Sequence, residues 1–132
     1  MRMRDPNYSL TKLILLIPFF LFQTPTVEAQ TIITPPAVLN PVLVPVCTCE
    51  SGKWQGSNKP EQYDLKTGKV LHGKKNPKDI GACQINEYWN GEDATAHGWD
   101  IYTLDGNIRM ANYLYKTQGL GPWSSSQSCW ES

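Results

Sequence analysis

No phenylalanine occurs beyond residue 22, no Cys-x-x-Cys pair occurs anywhere, and neither sign of charge is in excess. Lys and Arg number 12 and Asp and Glu 12, so no electrostatic pull draws nucleic acid or an anionic membrane as a partner. Without Cys-x-x-Cys, and with His72 and His97 at no ligand-like spacing from the cysteines, the chain gives no metal-site pattern and implies no cofactor. No Gly-x-Ser-x-Gly elbow is present, and Ser51 and the serines of 124–128 lack a supporting histidine motif, which removes the case for a serine hydrolase. The strongest apolar run, residues 13–22, is about half the ~20 residues a membrane span needs. No internal repeat or low-complexity segment appears.

What is present begins with an export pattern. Arg2, Arg4 and Lys12 precede the apolar run, and Val27-Glu28-Ala29 offers small residues where a signal peptidase reads. Residues 1–29 are therefore expected to be a signal peptide, with the protein secreted or held in the periplasm or cell envelope and no stable span after cleavage. Residues 30–46 carry Pro35, Pro36, Pro41 and Pro45 and read as a proline-rich apolar linker. Residues 47–132 remain as one domain with a single core, expected to be monomeric. With the phenylalanines confined to the signal, that core must draw on Trp, Tyr, Leu and Ile.

Cys47, Cys49, Cys83 and Cys129 all fall in the exported part, and an even count in a small secreted domain reads as two disulfides. A Cys47–Cys49 bridge closes too small a loop, which leaves two pairings open. Either ties the Glu50 region to Cys83 and to the C-terminus, and either leaves no thiol for a Cys–His nucleophile.

A helical turn is expected at 46–50 with Gly52 as its stop, then a loop over 53–61. Tyr63–Leu65 and Lys69–Leu71 flank Lys66-Thr67-Gly68 as a hairpin, and 81–86 reads as a further strand. Residues 91–97 read as a brief helix. A longer one is capped by Asp105, carries Leu104, Ile108, Ala111 and Tyr115 as its apolar stripe, and stops at Gly119. The tail 121–130 reads as a loop pinned by a disulfide. Fragments of helix, a short antiparallel sheet and further helices make the expected class α+β.

Two carboxylates stand out. Breaking a glycosidic bond needs a proton donor at the leaving oxygen, and a carboxyl in an apolar pocket can hold a proton near neutral pH. Glu50, between Cys49 and a Ser-Gly reversal, is the candidate acid. Asp79 is the candidate second carboxylate, able to stabilise an oxocarbenium ion, attack it or position water. On an 81–86 strand, Gln84 and Asn86 share one face and offer amide donors and acceptors to sugar hydroxyl and N-acetyl groups. Trp89, Tyr113 and Trp123 offer rings for sugar faces, with Tyr88 and Tyr115 as further candidates.

The order Glu50-Ser51-Gly52, then Gly81-x-x-Gln84-Ile85, then Asn107-Ile108 opening a helix with Tyr113-Leu114, resembles the soluble lytic transglycosylases of the lysozyme superfamily. Asp79-x-Gly81-x-x-Gln84-Ile85-Asn86-x-x-Trp89 is also similar to c-type lysozymes, which place their second catalytic aspartate at that position. The resemblance covers residues 47–129. It implies a small lysozyme-like fold, Glu50 as general acid, and a cleft for the β-1,4-linked N-acetylmuramic acid–N-acetylglucosamine strands of peptidoglycan. It puts Gln84 and Asn86 on the cleft wall and Trp89 on a sugar face. The chain departs from that pattern in four places. Pro41 and Pro45 leave room for barely two turns of the helix ahead of Glu50. The gap from Glu50 to Asp79 is longer than in c-type enzymes. Asn90 replaces the second of a pair of aromatics, and Tyr113 lies one position off the transglycosylase spacing.

Overall fold

The computed structural model describes residues 34–52 and 60–132. The expected signal peptide, residues 30–33 of the expected linker and most of the 53–61 loop lie outside the described residues.

Thr34–Ser132 is one compact unit, and it begins with an extended strap. Two of its backbone N–H groups are taken up by helix side chains. Ala37 N donates to Asp105 Oδ1 at 2.6 Å, and Asn40 N to Asn112 Oδ1 at 2.9 Å. In return Arg109 Nη2 donates to the Pro35 carbonyl and Asn112 Nδ2 to that of Val38. Positions 105, 109 and 112 share one helix face, so residues 35–40 lie along that face as a bound strap. Asn40 then turns the chain, its Oδ1 accepting from Val42 N and its carbonyl from Leu43 N.

Helix α1 follows, Leu43–Ser51. Pro45 sits in its first turn, where a missing N–H costs nothing, and Gly52 ends it at φ 67°. The helix therefore starts three residues ahead of the expected turn. Leu43, Val46 and Cys47 are buried.

Next comes a sparse antiparallel arrangement. Tyr63 bridges Val70 around a turn closed by Gly68 N donating to the Asp64 carbonyl, which is the expected hairpin in its shortest form. His72 bridges Ile80, and β1 (Asp79–Ile80) pairs with β2 (Ile85–Asn86). The strand expected over 81–86 is corrected: residues 81–84 are a tight turn, with Gly81 at φ 75° and Gln84 at φ 50°. Side chains from elsewhere make that turn possible. Gln62 Oε1 takes the Ala82 N–H at 2.7 Å and Asn107 Oδ1 takes the Cys83 N–H at 3.0 Å, replacing a ladder partner. A Cβ at Gly81 would overlap both amide groups, so only glycine fits beneath them.

Helix α2 (Glu87–Ala96) starts four residues earlier than expected because Asn86 caps it, Oδ1 accepting from Trp89 N. Helix α3 (Leu104–Gln118) ends at Gly119 as expected. Its cap is Thr103 rather than Asp105, whose carboxylate is occupied by Ala37 and Arg109. Its buried residues are Gly106, Asn107, Ile108, Met110, Ala111 and Leu114. Ile108 and Ala111 of the expected stripe are buried and Leu104 and Tyr115 pack against the core, while Asn107, Met110 and Leu114 widen the inward face beyond that stripe. The tail is ordered as a 3-10 segment (Gly121–Ser126) and a short helix α4 (Gln127–Trp130). Disulfides join Cys47 to Cys83 and Cys49 to Cys129. The class is α+β, with a core of aliphatic side chains, the Cys47–Cys83 bridge and Trp123, whose indole donates to the Cys83 carbonyl.

Asn107 Nδ2 also donates to the carbonyls of Ile80 and Ile101, and Gln62 shares the latter. Asn107→Ala leaves the Cys83 N–H buried without its partner and takes one donor from the Ile80 carbonyl, at about 1–3 kcal/mol for the orphaned N–H. The expected result is a Tm lowered by about 5 °C or more. A melting curve within about 3 °C of wild type would show that this amide is not structural.

Candidate active site

Glu50 is the penultimate residue of α1, and its carboxylate faces a cleft of about 270 Å³. Asp79, Gln84, Asn86, Trp89 and Trp123 line the same cleft. Six of the nine residues singled out from sequence thus come together, from α1, β1, the 81–84 turn, the start of α2 and the 3-10 segment. Tyr113 does not join them. Its ring packs against His97, with centroids 4.8 Å apart, and against Trp99.

The apolar side chains lining this cleft include Ile85, Leu114, Pro122 and Trp123. Burial lifts the Glu50 carboxyl above its ordinary value of 4.5, because the charged form loses water it cannot replace. The Ser126 hydroxyl, donating to Oε1 at 2.5 Å, favours the charged form and opposes that lift, while the Asp79 charge adds to it.

Asp79 is held differently. Its Oδ1 accepts from Asn86 Nδ2 at 2.7 Å and from Asn76 Nδ2 at 3.2 Å. Asn86 therefore caps α2 with one end of its amide and fixes Asp79 with the other. Gln84 Nε2 donates to the Gly81 carbonyl at 2.8 Å, closing its own turn. Both amides lie at the cleft, but the wall they form is made by a turn and a helix cap, not by one face of a strand.

The rings divide in the same way. Trp123 is 3% exposed and forms the floor, whereas Trp89 is 76% exposed at the rim with Tyr88 edge-on to it at 4.6 Å. Trp89 is the ring available to a ligand. Tyr115 packs on the core. Among the described residues no cysteine is free and no cluster of His, Cys, Asp or Glu is grouped to hold a metal.

Sequence reasoning missed Ser126, Asn76 and Asn90, whose Nδ2 donates to the Asn86 carbonyl. Asn76 precedes a proline and reads as turn material. Ser126 sits in a serine-rich run with no period. The cue to it is Cys129, whose partner adjoins Glu50, and that pairing was open. No family model matches the chain, and no curated protein or solved structure matches it either.

Because the folded-state pKa of Glu50 is raised, the folded protein holds that proton more tightly than the unfolded chain does. The associated stability is complete below about pH 4.5 and is lost as pH rises through the folded value. Glu50→Gln is expected to melt above wild type near neutral pH, with the difference closing below about pH 4. Melting curves across that range test it, and a difference that grows on acidification would contradict the burial effect.

Proposed function

We propose that this protein cleaves the β-1,4 bond between N-acetylmuramic acid and N-acetylglucosamine in peptidoglycan, with Glu50 as general acid. The observation that carries the reading is the meeting of Glu50 and Asp79 in one cleft, where burial raises the pKa of Glu50. The resemblance of the segments around those two residues to the lysozyme superfamily supports the choice of substrate. A rim tryptophan and a polar wall suit a sugar, which has apolar faces and hydroxyl edges.

The glycan strand lies along the cleft with a sugar against Trp89. Glu50 gives its proton to the bridging oxygen as the C1–O bond breaks, so that an alcohol leaves instead of an alkoxide. The sugar is left with oxocarbenium character, and the Asp79 carboxylate stabilises that positive charge. Glu50, now ionised, takes a proton from whatever captures C1. Water gives a reducing end, and the muramoyl 6-hydroxyl gives a 1,6-anhydro end. Export to an oxidising compartment is supported by the two disulfides. Among the described residues no helix is long and apolar enough to cross a membrane.

The test is incubation of the oxidised protein with purified peptidoglycan, with released fragments read by mass spectrometry. Wild type is expected to release muropeptides with one of the two ends, and Glu50→Gln to lose about 10²–10⁴-fold in rate. Wild type and Glu50→Gln that both bind sacculi and release nothing would replace the enzyme with a glycan-binding module. Trp89→Ala is expected to raise KM several-fold with a smaller change in kcat, from a stacking contribution of about 1 kcal/mol. An unchanged KM would remove Trp89 from the substrate path. Reductant is expected to abolish release, and full activity with four free thiols would contradict the need for the bridges.

A further inference from the structure

We propose that Ser126, oriented by Trp130, is the positioning residue that decides which oxygen of Glu50 carries the catalytic proton. The assignment rests on the reading of Glu50 as the general acid.

The argument is an accounting of hydrogens. The Trp130 indole Nε1 can only donate, and it lies 3.1 Å from Ser126 Oγ and 3.3 Å from the Trp123 carbonyl. Ser126 Oγ therefore accepts from Trp130, and its single hydrogen must go elsewhere. Two acceptors are in reach: Glu50 Oε1 at 2.5 Å and the Trp123 carbonyl at 3.1 Å. The Glu50 oxygen is the nearer, and when ionised it takes a hydrogen bond more strongly than a neutral carbonyl. The hydroxyl hydrogen is therefore assigned to Glu50 Oε1, and it keeps that place when Glu50 takes up a proton.

With Oε1 engaged as an acceptor, a proton held by Glu50 sits on Oε2. A carboxyl that rotates freely would present its proton in many directions, and an acid is effective only when the proton points at the leaving oxygen. The pair is fastened by covalent structure as well. Cys49 adjoins Glu50, Cys129 adjoins Trp130, and the two cysteines are bonded. The disulfide thus holds donor and acceptor segments at a fixed separation.

Among the described residues, Asp79 on β1 is the charged group acting on Glu50, and its effect is upward. The 3-10 segment and α4 contain no charged residue. From α3 it is Leu114 that reaches the cleft, while Asp105, Arg109 and Lys116 do not line it. Glu131, just past α4, bonds Gln127 Nε2.

The experiment is a carbon-13 NMR titration of the Glu50 side-chain carboxyl in the oxidised protein, beside the pH profile of peptidoglycan release. Ser126→Ala removes a donor to the charged form, so the Glu50 titration should move upward and the alkaline limb of activity with it. kcat is expected to fall about 10–100-fold with little change in KM. Ser126→Thr keeps the hydroxyl and should restore both readouts, and Trp130→Phe should move the titration the same way by less. If Ser126→Ala does not fold, the Trp130→Phe titration against wild type decides the matter alone. An active wild type whose Glu50 titration and pH profile are unchanged by these substitutions overturns the assignment and leaves the enzyme reading intact. A wild type that releases no fragments overturns the enzyme reading itself, and the role of Ser126 in catalysis falls with it.

Discussion

Two disulfides leave one short helix in opposite directions, and the cleft depends on that divergence. Helix α1 has nine residues and no side-chain N-cap, too little to persist unaided in water. Cys47 and Cys49 are two positions apart, hence about 200° apart around the helix at 3.6 residues per turn. One fastens the 81–84 turn and the other the C-terminal segment. Glu50 lies about 100° beyond Cys49 and about 60° short of Cys47 on the same circle. Its side chain therefore leaves the helix between the two fastened segments. That gap is the cleft, bounded by Gln84 on one side and Ser125 and Ser126 on the other. The bridges supply by covalent means what a longer supporting helix supplies by packing.

Behind the cleft, a small core is kept in register by buried amides. Gln62 and Asn107 are 2% and 0% exposed, and between them they satisfy the backbone of residues 80, 82, 83 and 101. Such groups cost free energy when left unpaired, so they specify one arrangement strongly. They let β1 and β2 be only two residues long and still place Asp79 opposite α1, because side chains replace ladder bonds that longer strands would form.

The meeting of Glu50 and Asp79 could be read from sequence because its signals are local and short: a carboxyl beside a cysteine and a Gly stop, and an Asp-x-Gly turn ahead of Gln-Ile-Asn. Gly52 and Gly119 end their helices as their positions indicate. What could not be read is where polar side chains spend their hydrogen bonds. Asn86 lies at the cleft as expected, but its amide also caps α2 through Trp89 N and holds Asp79. Asn107 gives no sign in sequence of its buried role, because periodicity knows nothing of a backbone 24 residues away. Tyr113 looks like a stacking ring until it is found packed with Trp99. The strap at 35–40 has prolines that speak for a linker, and only the spacing of Asp105, Arg109 and Asn112 on α3 reveals its partner.

The two carboxylates of the cleft are made unequal by these same choices. Glu50 shares its cleft with the apolar Leu114, Pro122 and Trp123, and among the described residues the Ser126 hydroxyl is its hydrogen-bond donor. Asp79 meets amides, two of which bond a single oxygen. An apolar wall penalises charge, which is the direction in which burial moves Glu50. The walls differ by which elements supply them: α3 and the 3-10 segment bring carbon to the cleft, while the turn at 76 and the cap of α2 bring nitrogen to Asp79. On the proposed reading of Glu50 as the acid, that difference divides proton donor from cation stabiliser, and the Ser126 hydroxyl limits the lift that burial gives, since an acid lifted too far would hold its proton too tightly to give it up.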